Sequence, residues 1–244
     1  DEVLIEVKAC GICGSDVHGM DGSTGRRKPP LIMGHEASGI IIETGSEVEN
    51  WKPGDRVTFD STVYPLNDWF TLKGYYNLSD NRQVLGVSPG EYRRHGAFAE
   101  KVAVPQHILH RIPDGVSFNE AAMVEPIAVA AHALNVSGLK PGNSALVVGS
   151  GMVGVFVVKL LSLFGANLVI AVDIDDKKLE MAAKFGAAAR KPVPGAAALA
   201  RQLRNHLFHR PARCELDHQK GDRHDAEQGR DHQQHTPQNI DAHQ

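Results

Sequence analysis

A glycine-rich turn near residue 150 constrains the fold more than any other feature of this sequence. Residues 149–154 read Gly-Ser-Gly-Met-Val-Gly, a G-x-G-x-x-G pattern, and they follow the uncharged apolar run 144–148. An apolar segment extends from the turn to about Phe164, and a second apolar run, 168–172, precedes another helical pattern. Strand, glycine turn, helix, strand and helix in this order predict the opening of a doubly wound α/β sheet.

The glycines of this turn have separate tasks in a dinucleotide-binding site. Gly149 makes the tight turn, Gly151 lets the backbone approach a pyrophosphate, and Gly154 lets the helix pack closely on the strand. Met152 and Val153 begin the helix, whose first N–H groups have no partner within the helix and bind phosphate oxygens. The turn therefore predicts a nucleotide site.

An acidic residue ends the second strand of this pattern. Asp173, 24 residues after Gly149, is placed to accept hydrogen bonds from an adenosine ribose and to repel a 2′-phosphate, which favours NAD over NADP. Lys177 and Lys178 nearby leave NADP open as an alternative. The predicted cofactor-binding residues for NAD are Gly149, Gly151, Met152, Val153, Gly154, Asp173 and Lys178.

The first 135 residues have a different pattern, in which short β-type runs are separated by Gly, Pro and Asp turns. The runs 3–7, 39–43 and 56–59 read as strands, and Pro53-Gly54-Asp55 reads as a turn. Many short strands in one region predict a small β-barrel-like domain. An Ala-rich stretch from Ala121 to Leu134 predicts a helix that follows this domain.

Four side chains in this region are candidate metal ligands: Cys13, His35, Glu36 and Glu125. A catalytic zinc ion takes three protein ligands of N, S or O type and keeps one position open. Adjacent side chains point to different sides of regular backbone, so either one of His35 and Glu36 supports the other, or a local turn brings both to the ion. Cys13 is alternatively a small buried apolar residue; a redox pair with Cys10 would need a thioredoxin-like βαβ context, which the surrounding strands do not supply. Spacing alone leaves these interpretations open.

Five motifs in fixed order resemble the zinc-dependent medium-chain dehydrogenase/reductase family over about residues 1–190. They are 10–18 (CGICGSDVH), 34–39 (GHEASG), 52–57 (KPGDRV), Glu125-Pro126 and the glycine-rich turn. The resemblance implies an α/β protein with a GroES-like β-barrel catalytic domain at 1–135. It further implies an incomplete Rossmann NAD-binding domain at 136–190, followed by an irregular tail at 191–244.

The resemblance also implies roles for individual side chains. The implied zinc ligands are Cys13 and His35, completed by Glu36 or Glu125. The implied proton-relay residues are Ser15 and His18, with Asp16 supporting the ligand set. The implied reaction is reversible hydride transfer between NAD and a secondary alcohol or polyol of the sorbitol or threonine type. The alternatives are a zinc-free reductase of the same superfamily, and an inactive chain that retains only metal or nucleotide binding.

One lobe departs from the family pattern. The family carries four cysteines for a structural zinc in the lobe that corresponds to residues 64–80. Here Pro65, Asp68, Thr71 and Ser79 stand at those positions. We therefore expect one catalytic zinc and no structural zinc.

Composition limits the partners and the compartment. The formal net charge of −3 gives no reason to expect nucleic acid or an anionic membrane as a partner. Three cysteines, and no signal segment before the acidic start, predict a reducing, cytoplasmic setting and a chain that begins within a longer protein.

Residues 191–244 hold seven histidines from His206 to His243 and few large apolar residues, which predicts a disordered tail of foreign or out-of-frame sequence. A small alcohol is the expected partner; the homo-oligomer typical of the family stays open.

Overall fold

The long strand β1 lies between β7 and β2 in the first sheet of the computed structural model of this chain. The model describes residues 1–22, 24–25, 27–87 and 93–190; the predicted tail at 191–244 lies outside the described residues. The strands of the described part are β1 (Glu2–Gly11), β2 (Glu36–Thr44), β3 (Arg56–Phe59), β4 (Thr62–Val63), β5 (Gln83–Leu85), β6 (Arg93–Arg94), β7 (Lys101–Pro105), β8 (Leu109–Arg111), β9 (Ser144–Val148), β10 (Leu168–Val172) and β11 (Ala188–Arg190). The helices are α1 (Gly14–Val17), α2 (Trp69–Leu72), α3 (Phe118–Ala122), α4 (Val124–Ser137), α5 (Met152–Leu163) and α6 (Asp176–Lys184), with 3₁₀ turns at Tyr76–Leu78 and Gln106–Ile108.

The first part of the chain is built on a five-stranded antiparallel sheet. Its strand order is β7-β1-β2-β3-β8, and a smaller sheet has the order β4-β5-β6. Alternating side chains of these strands point inward, as the two-residue period of a strand requires. The fully buried members of this core include Ile5, Ile41, Val57, Leu85 and Val104. The core supports the end of β1 and the start of β2, which pair at Gly11 and Glu36.

The second part is a parallel sheet with helices. Strands β9 and β10 pair in parallel: Ser144 lies opposite Leu168 at one end, and Val148 lies opposite Val172 at the other. The sheet order is β11-β10-β9. Helix α5 connects β9 to β10 and packs on both, which is the βαβ unit that parallel pairing requires. A separate core holds this part together; it comprises Val147, Val158, Leu161, Val169, Ala171 and Ala182.

The predicted fold class is confirmed, and so are the strands predicted at 56–59, 144–148 and 168–172. The Ala-rich stretch differs from the prediction, because it forms two helices that meet at Met123. Pro126 has no N–H, and its ring crowds the carbonyl four residues earlier, at Ala122. Helix α3 therefore ends at Ala122, and α4 starts with Pro126 inside its first turn.

Asp1–Ala189 forms one compact unit that contains both hydrophobic cores. The predicted boundary between residues 135 and 136 falls in the last turn of α4, and it stays a prediction. A search of the described helices finds none with both the length and the apolar character that a membrane span requires.

Candidate metal centre and nucleotide turn

Three side chains of the type that binds zinc converge at one end of the first sheet. Cys13, His35 and Glu36 each offer one ligand atom, and these atoms lie within 4.8 Å of one another. Glu36 is 2% exposed and His35 is 8% exposed, whereas Cys13 is partly exposed. A buried carboxylate is costly without a compensating cation or hydrogen bonds. A sulfur, a nitrogen and an oxygen donor on one spot fit a zinc ion.

A local turn brings His35 and Glu36 to the same spot. Gly34 has a φ of +93°, a left-handed conformation that favours glycine. His35 precedes β2, and Glu36 is the first residue of that strand. Gly34 and His35 thus lie outside regular structure, immediately before Glu36 begins β2. Of the two sequence alternatives, the geometry corresponds to the turn that brings both residues together.

Gly11 provides the space for the Glu36 carboxylate. The two residues are cross-strand neighbours, and a Cβ atom on Gly11 would lie 2.4 Å from Glu36 Oε2. A side chain at Gly11 would therefore displace the carboxylate. No local sequence pattern indicates this role of Gly11, and only the cross-strand register reveals it.

Glu125 lies beside this group but is not one of its three members. Its Oε1 atom accepts a hydrogen bond of 3.3 Å from the Ser61 hydroxyl. Burial raises the pKa of Glu125; nearby His35 opposes that shift, and Glu36 adds to it. The first turn of α4 therefore presents a second carboxylate close to the candidate centre. Ser61, which the sequence analysis did not single out, fixes its position.

Asp16 connects two of the candidate ligands. It is 1% exposed; its Oδ2 atom accepts a 3.2 Å hydrogen bond from the Cys13 backbone N–H, and its Oδ1 atom lies 3.6 Å from His35 Nδ1. That Nδ1 atom is buried and has no hydrogen-bond partner within the described residues. A carboxylate beside the outer nitrogen of a metal-binding histidine commonly orients the ring.

Ser15 and His18, the two predicted proton-relay residues, are both exposed. Ser15 belongs to α1, and His18 follows the helix as its C-cap. The Ser15 Oγ atom accepts a 3.0 Å hydrogen bond from Arg27 Nη2. Arg27 was missed by the sequence analysis, because no periodicity indicates which arginine of a long loop folds back onto α1.

The lobe at 64–80 has a polar network in place of cysteines. Asp68 accepts a 2.7 Å hydrogen bond from the Thr71 N–H and another from the Ser79 hydroxyl. Burial tends to raise the pKa of Asp68, but these hydrogen bonds hold it below its usual value. Arg82 donates a 2.7 Å bond to the Ser79 carbonyl. The expectation of no structural zinc stays a prediction.

The three glycines of the nucleotide turn meet three different requirements. Gly149 has a φ of +94°, a conformation that side chains disfavour. A Cβ atom on Gly154 would lie 2.0 Å from the Gly149 carbonyl oxygen, whereas a Cβ atom on Gly151 would meet no atom of the described residues within 4 Å. Open space beside Gly151, at the start of helix α5 with Met152 and Val153 in its first turn, fits a ligand that approaches the backbone.

Asp173, which follows β10, connects the end of that strand to the nucleotide turn by a hydrogen bond. Its Oδ2 atom accepts a 2.7 Å hydrogen bond from the Ser150 N–H, and its Oδ1 atom accepts a 3.0 Å bond from the Asp175 N–H. Burial tends to raise the pKa of Asp173; these bonds and nearby Lys178 hold it below its usual value. The ionised carboxylate retains acceptor capacity for further donors.

Comparison with known proteins agrees with this geometry. The family described as "Alcohol dehydrogenase GroES-like domain" matches residues 1–114. Sorbitol dehydrogenase of Bacillus subtilis (strain 168) is 39% identical over 190 residues, which cover 77% of this chain and 53% of that protein. The chain thus spans about half the length of the curated relatives it matches.

Solved structures give the same assignment. A protein from E. coli CFT073, described as a short chain alcohol dehydrogenase and solved with NADH, is 31% identical with a TM-score of 0.73. The match covers 82% of this chain and 58% of that one. A protein from Sinorhizobium meliloti 1021, provisionally described as a zinc-binding dehydrogenase and bound to NADP, is 35% identical with a TM-score of 0.72, covering 80% and 55%. The ordered motifs, the two-part fold and these relatives show that the chain belongs to the zinc-dependent medium-chain dehydrogenase/reductase family.

Proposed function

We propose that this chain carries the zinc and NAD sites of a dehydrogenase that interconverts a secondary alcohol or polyol and its carbonyl form. The observation that carries the proposal is the convergence of Cys13, His35 and Glu36 within 4.8 Å, on a chain that also has a dinucleotide-type glycine turn. Sorbitol dehydrogenase and (R,R)-butanediol dehydrogenase are among the relatives, which supports a polyol or diol substrate.

In this proposal Cys13, His35 and Glu36 hold one catalytic zinc ion, and Glu125 stands beside them as an additional carboxylate. Bound zinc supplies Lewis acidity, which lowers the pKa of a hydroxyl group and so favours its deprotonation. Asp16 fixes the His35 ring. The partly exposed Cys13 thiol needs a reducing setting to serve as a ligand, and we propose a cytoplasmic one.

The other residues move the proton and hold the cofactor. As Ser15 Oγ accepts the proton that leaves the substrate hydroxyl, it releases its own hydroxyl proton, which passes towards the cofactor ribose and His18 and from there to solvent. The α5 N-terminus and the open space at Gly151 bind the pyrophosphate, and the free acceptor capacity of Asp173 binds the adenosine ribose. We propose NAD over NADP, because the Asp173 carboxylate disfavours a 2′-phosphate despite Lys178. The bound nicotinamide ring supplies the hydride acceptor.

Metal analysis and a turnover assay test this proposal together. The purified chain is expected to contain one zinc ion and to reduce NAD in the presence of at least one member of a panel of polyols and diols. Absence of zinc in folded protein would favour the zinc-free reductase. Zinc and NAD binding without turnover on any substrate would favour the binding-only alternative; an NAD-dependent rise in Tm distinguishes binding from its absence.

A further inference from the structure

Arg27 is a buried cation next to the candidate metal centre, on the segment between α1 and β2. Its side chain is 5% exposed, and that of Asp16 is 2% exposed. Arg27 Nε and Nη2 donate to Asp16 Oδ1 at 3.3 and 3.2 Å, and Nη2 also donates to Ser15 Oγ at 3.0 Å. One guanidinium thus holds two neighbouring side chains of α1.

The fold is arranged to admit this side chain. A Cβ atom on Gly19, just after α1, would lie 2.2 Å from Arg27 Cγ, and Gly19 itself is buried. Gly19 does not have a positive φ, so space rather than backbone conformation explains the glycine. A charged side chain stays buried only when it is paired and hydrogen-bonded, and Asp16 meets that requirement.

The same aspartate contacts two of the candidate ligands. Asp16 accepts the Cys13 backbone N–H and lies 3.6 Å from His35 Nδ1. Any rotation of the Asp16 side chain therefore changes its contacts with both the Cys13 backbone N–H and the His35 ring. Arg27 restrains that rotation, because its Nε and Nη2 groups both donate to Oδ1, the same oxygen that faces His35 Nδ1.

We propose that Arg27 is a positioning residue for the metal centre. It acts through Asp16 on Cys13 and His35, and it orients the Ser15 hydroxyl directly. This inference rests on the proposed function, because it requires that these residues bind zinc. It differs from a purely structural ion pair in one respect: loss of Arg27 changes the metal geometry and affinity as well as the stability of the fold.

The test compares four proteins: wild type, Arg27→Met, Arg27→Lys and Arg111→Met. Arg111 is the control for loss of an arginine–aspartate pair elsewhere in this part of the chain: it pairs with Asp55 at 3.0 Å and, unlike Arg27, is largely exposed. Zinc affinity is measured by chelator competition, the visible spectrum of the Co²⁺-substituted protein reports metal geometry, and Tm reports stability. Arg27→Met is expected to lower zinc affinity about 10–100-fold, the usual effect of removing outer support from a metal ligand, and to shift the Co²⁺ spectrum.

The controls separate the possible outcomes. Arg27→Lys keeps the positive charge but loses the planar guanidinium with its several N–H donors. Its zinc affinity is expected to lie between that of wild type and that of Arg27→Met. Arg111→Met is expected to keep the wild-type zinc affinity and Co²⁺ spectrum. Should Arg27→Met fail to fold, Gly19→Ala displaces the same side chain without removing a charge and is expected to weaken zinc binding. Unchanged zinc affinity and spectrum in the folded Arg27 or Gly19 variants would overturn this inference alone. A wild-type chain that binds no zinc would instead overturn the proposed function.

Discussion

The two parts of the unit Asp1–Ala189 bury their apolar side chains to very different degrees. In the first part, Ile41 and Val57 on adjacent strands are fully buried. In the second part, Leu146 and Val148 on β9 are 61% and 55% exposed, although parallel strands usually have both faces covered. The candidate metal centre therefore rests on a closely packed core, whereas the nucleotide turn rests on a less fully buried one. We expect the first part to govern catalysis and global stability, and the second to respond more readily to its ligand.

The largest effect is expected from Cys13→Ser, which changes the metal centre alone. Zinc content and turnover are expected to fall together, turnover by at least about 10³-fold, because Lewis acidity contributes several kcal/mol to such reactions. NAD binding, measured as the Tm rise with NAD, is expected to persist, since the nucleotide turn belongs to the other part of the chain. Equal loss of zinc and NAD binding in folded protein would contradict this separation.

A pair of core substitutions measures the difference in packing directly. Ile41→Ala is expected to lower the free energy of unfolding by about 2–4 kcal/mol, because it leaves a cavity in a filled core. Leu146→Ala removes a largely exposed side chain and is expected to cost less than about 0.5 kcal/mol. Denaturant unfolding of both variants checks this prediction. Similar losses in the free energy of unfolding for the two variants would mean that the face of β9 that carries Leu146 is covered in solution.

The glycine turn offers a matched pair within the second part. Gly154→Ala forces a Cβ atom against the Gly149 carbonyl and is expected to cost about 1–3 kcal/mol of stability. Gly151→Ala meets open space; it is expected to keep the fold and to weaken NAD binding about tenfold or more by crowding the pyrophosphate. Thermal unfolding with and without NAD distinguishes the two. Tight NAD binding by Gly151→Ala would refute the ligand role of that space.

A modest effect that depends on pH is expected from Asp173→Asn. The pKa of Asp173 is lower in the folded chain than its usual value, so the ionised carboxylate stabilises the fold above about pH 4. This stabilisation is lost as the pH falls through the lower, folded-state pKa. Asp173→Asn is expected to cost about 1 kcal/mol at pH 7 and less at pH 3. A cost that does not change with pH would argue against the charge as the cause.

Local patterns were sufficient to predict much of this protein. Three strands have the predicted bounds, because their apolar runs end at turn residues. The conformations of Gly149 and Gly154 follow from a hexapeptide whose steric demands are local. The helix break at Met123 was missed, although Pro126 provided the signal: its ring conflicts with the carbonyl four residues earlier.

The sequence by itself determined the order of the elements, the glycine turn and the set of side chains able to bind a metal. Only the tertiary structure decided that His35 and Glu36 reach the same spot as Cys13, that Gly11 makes room for a carboxylate, and that Arg27 rather than another basic residue folds back on Asp16. The physical reason is the range of the interactions: secondary structure and turns depend on neighbours along the chain. These contacts depend on cross-strand register and on a long loop, which no local pattern specifies.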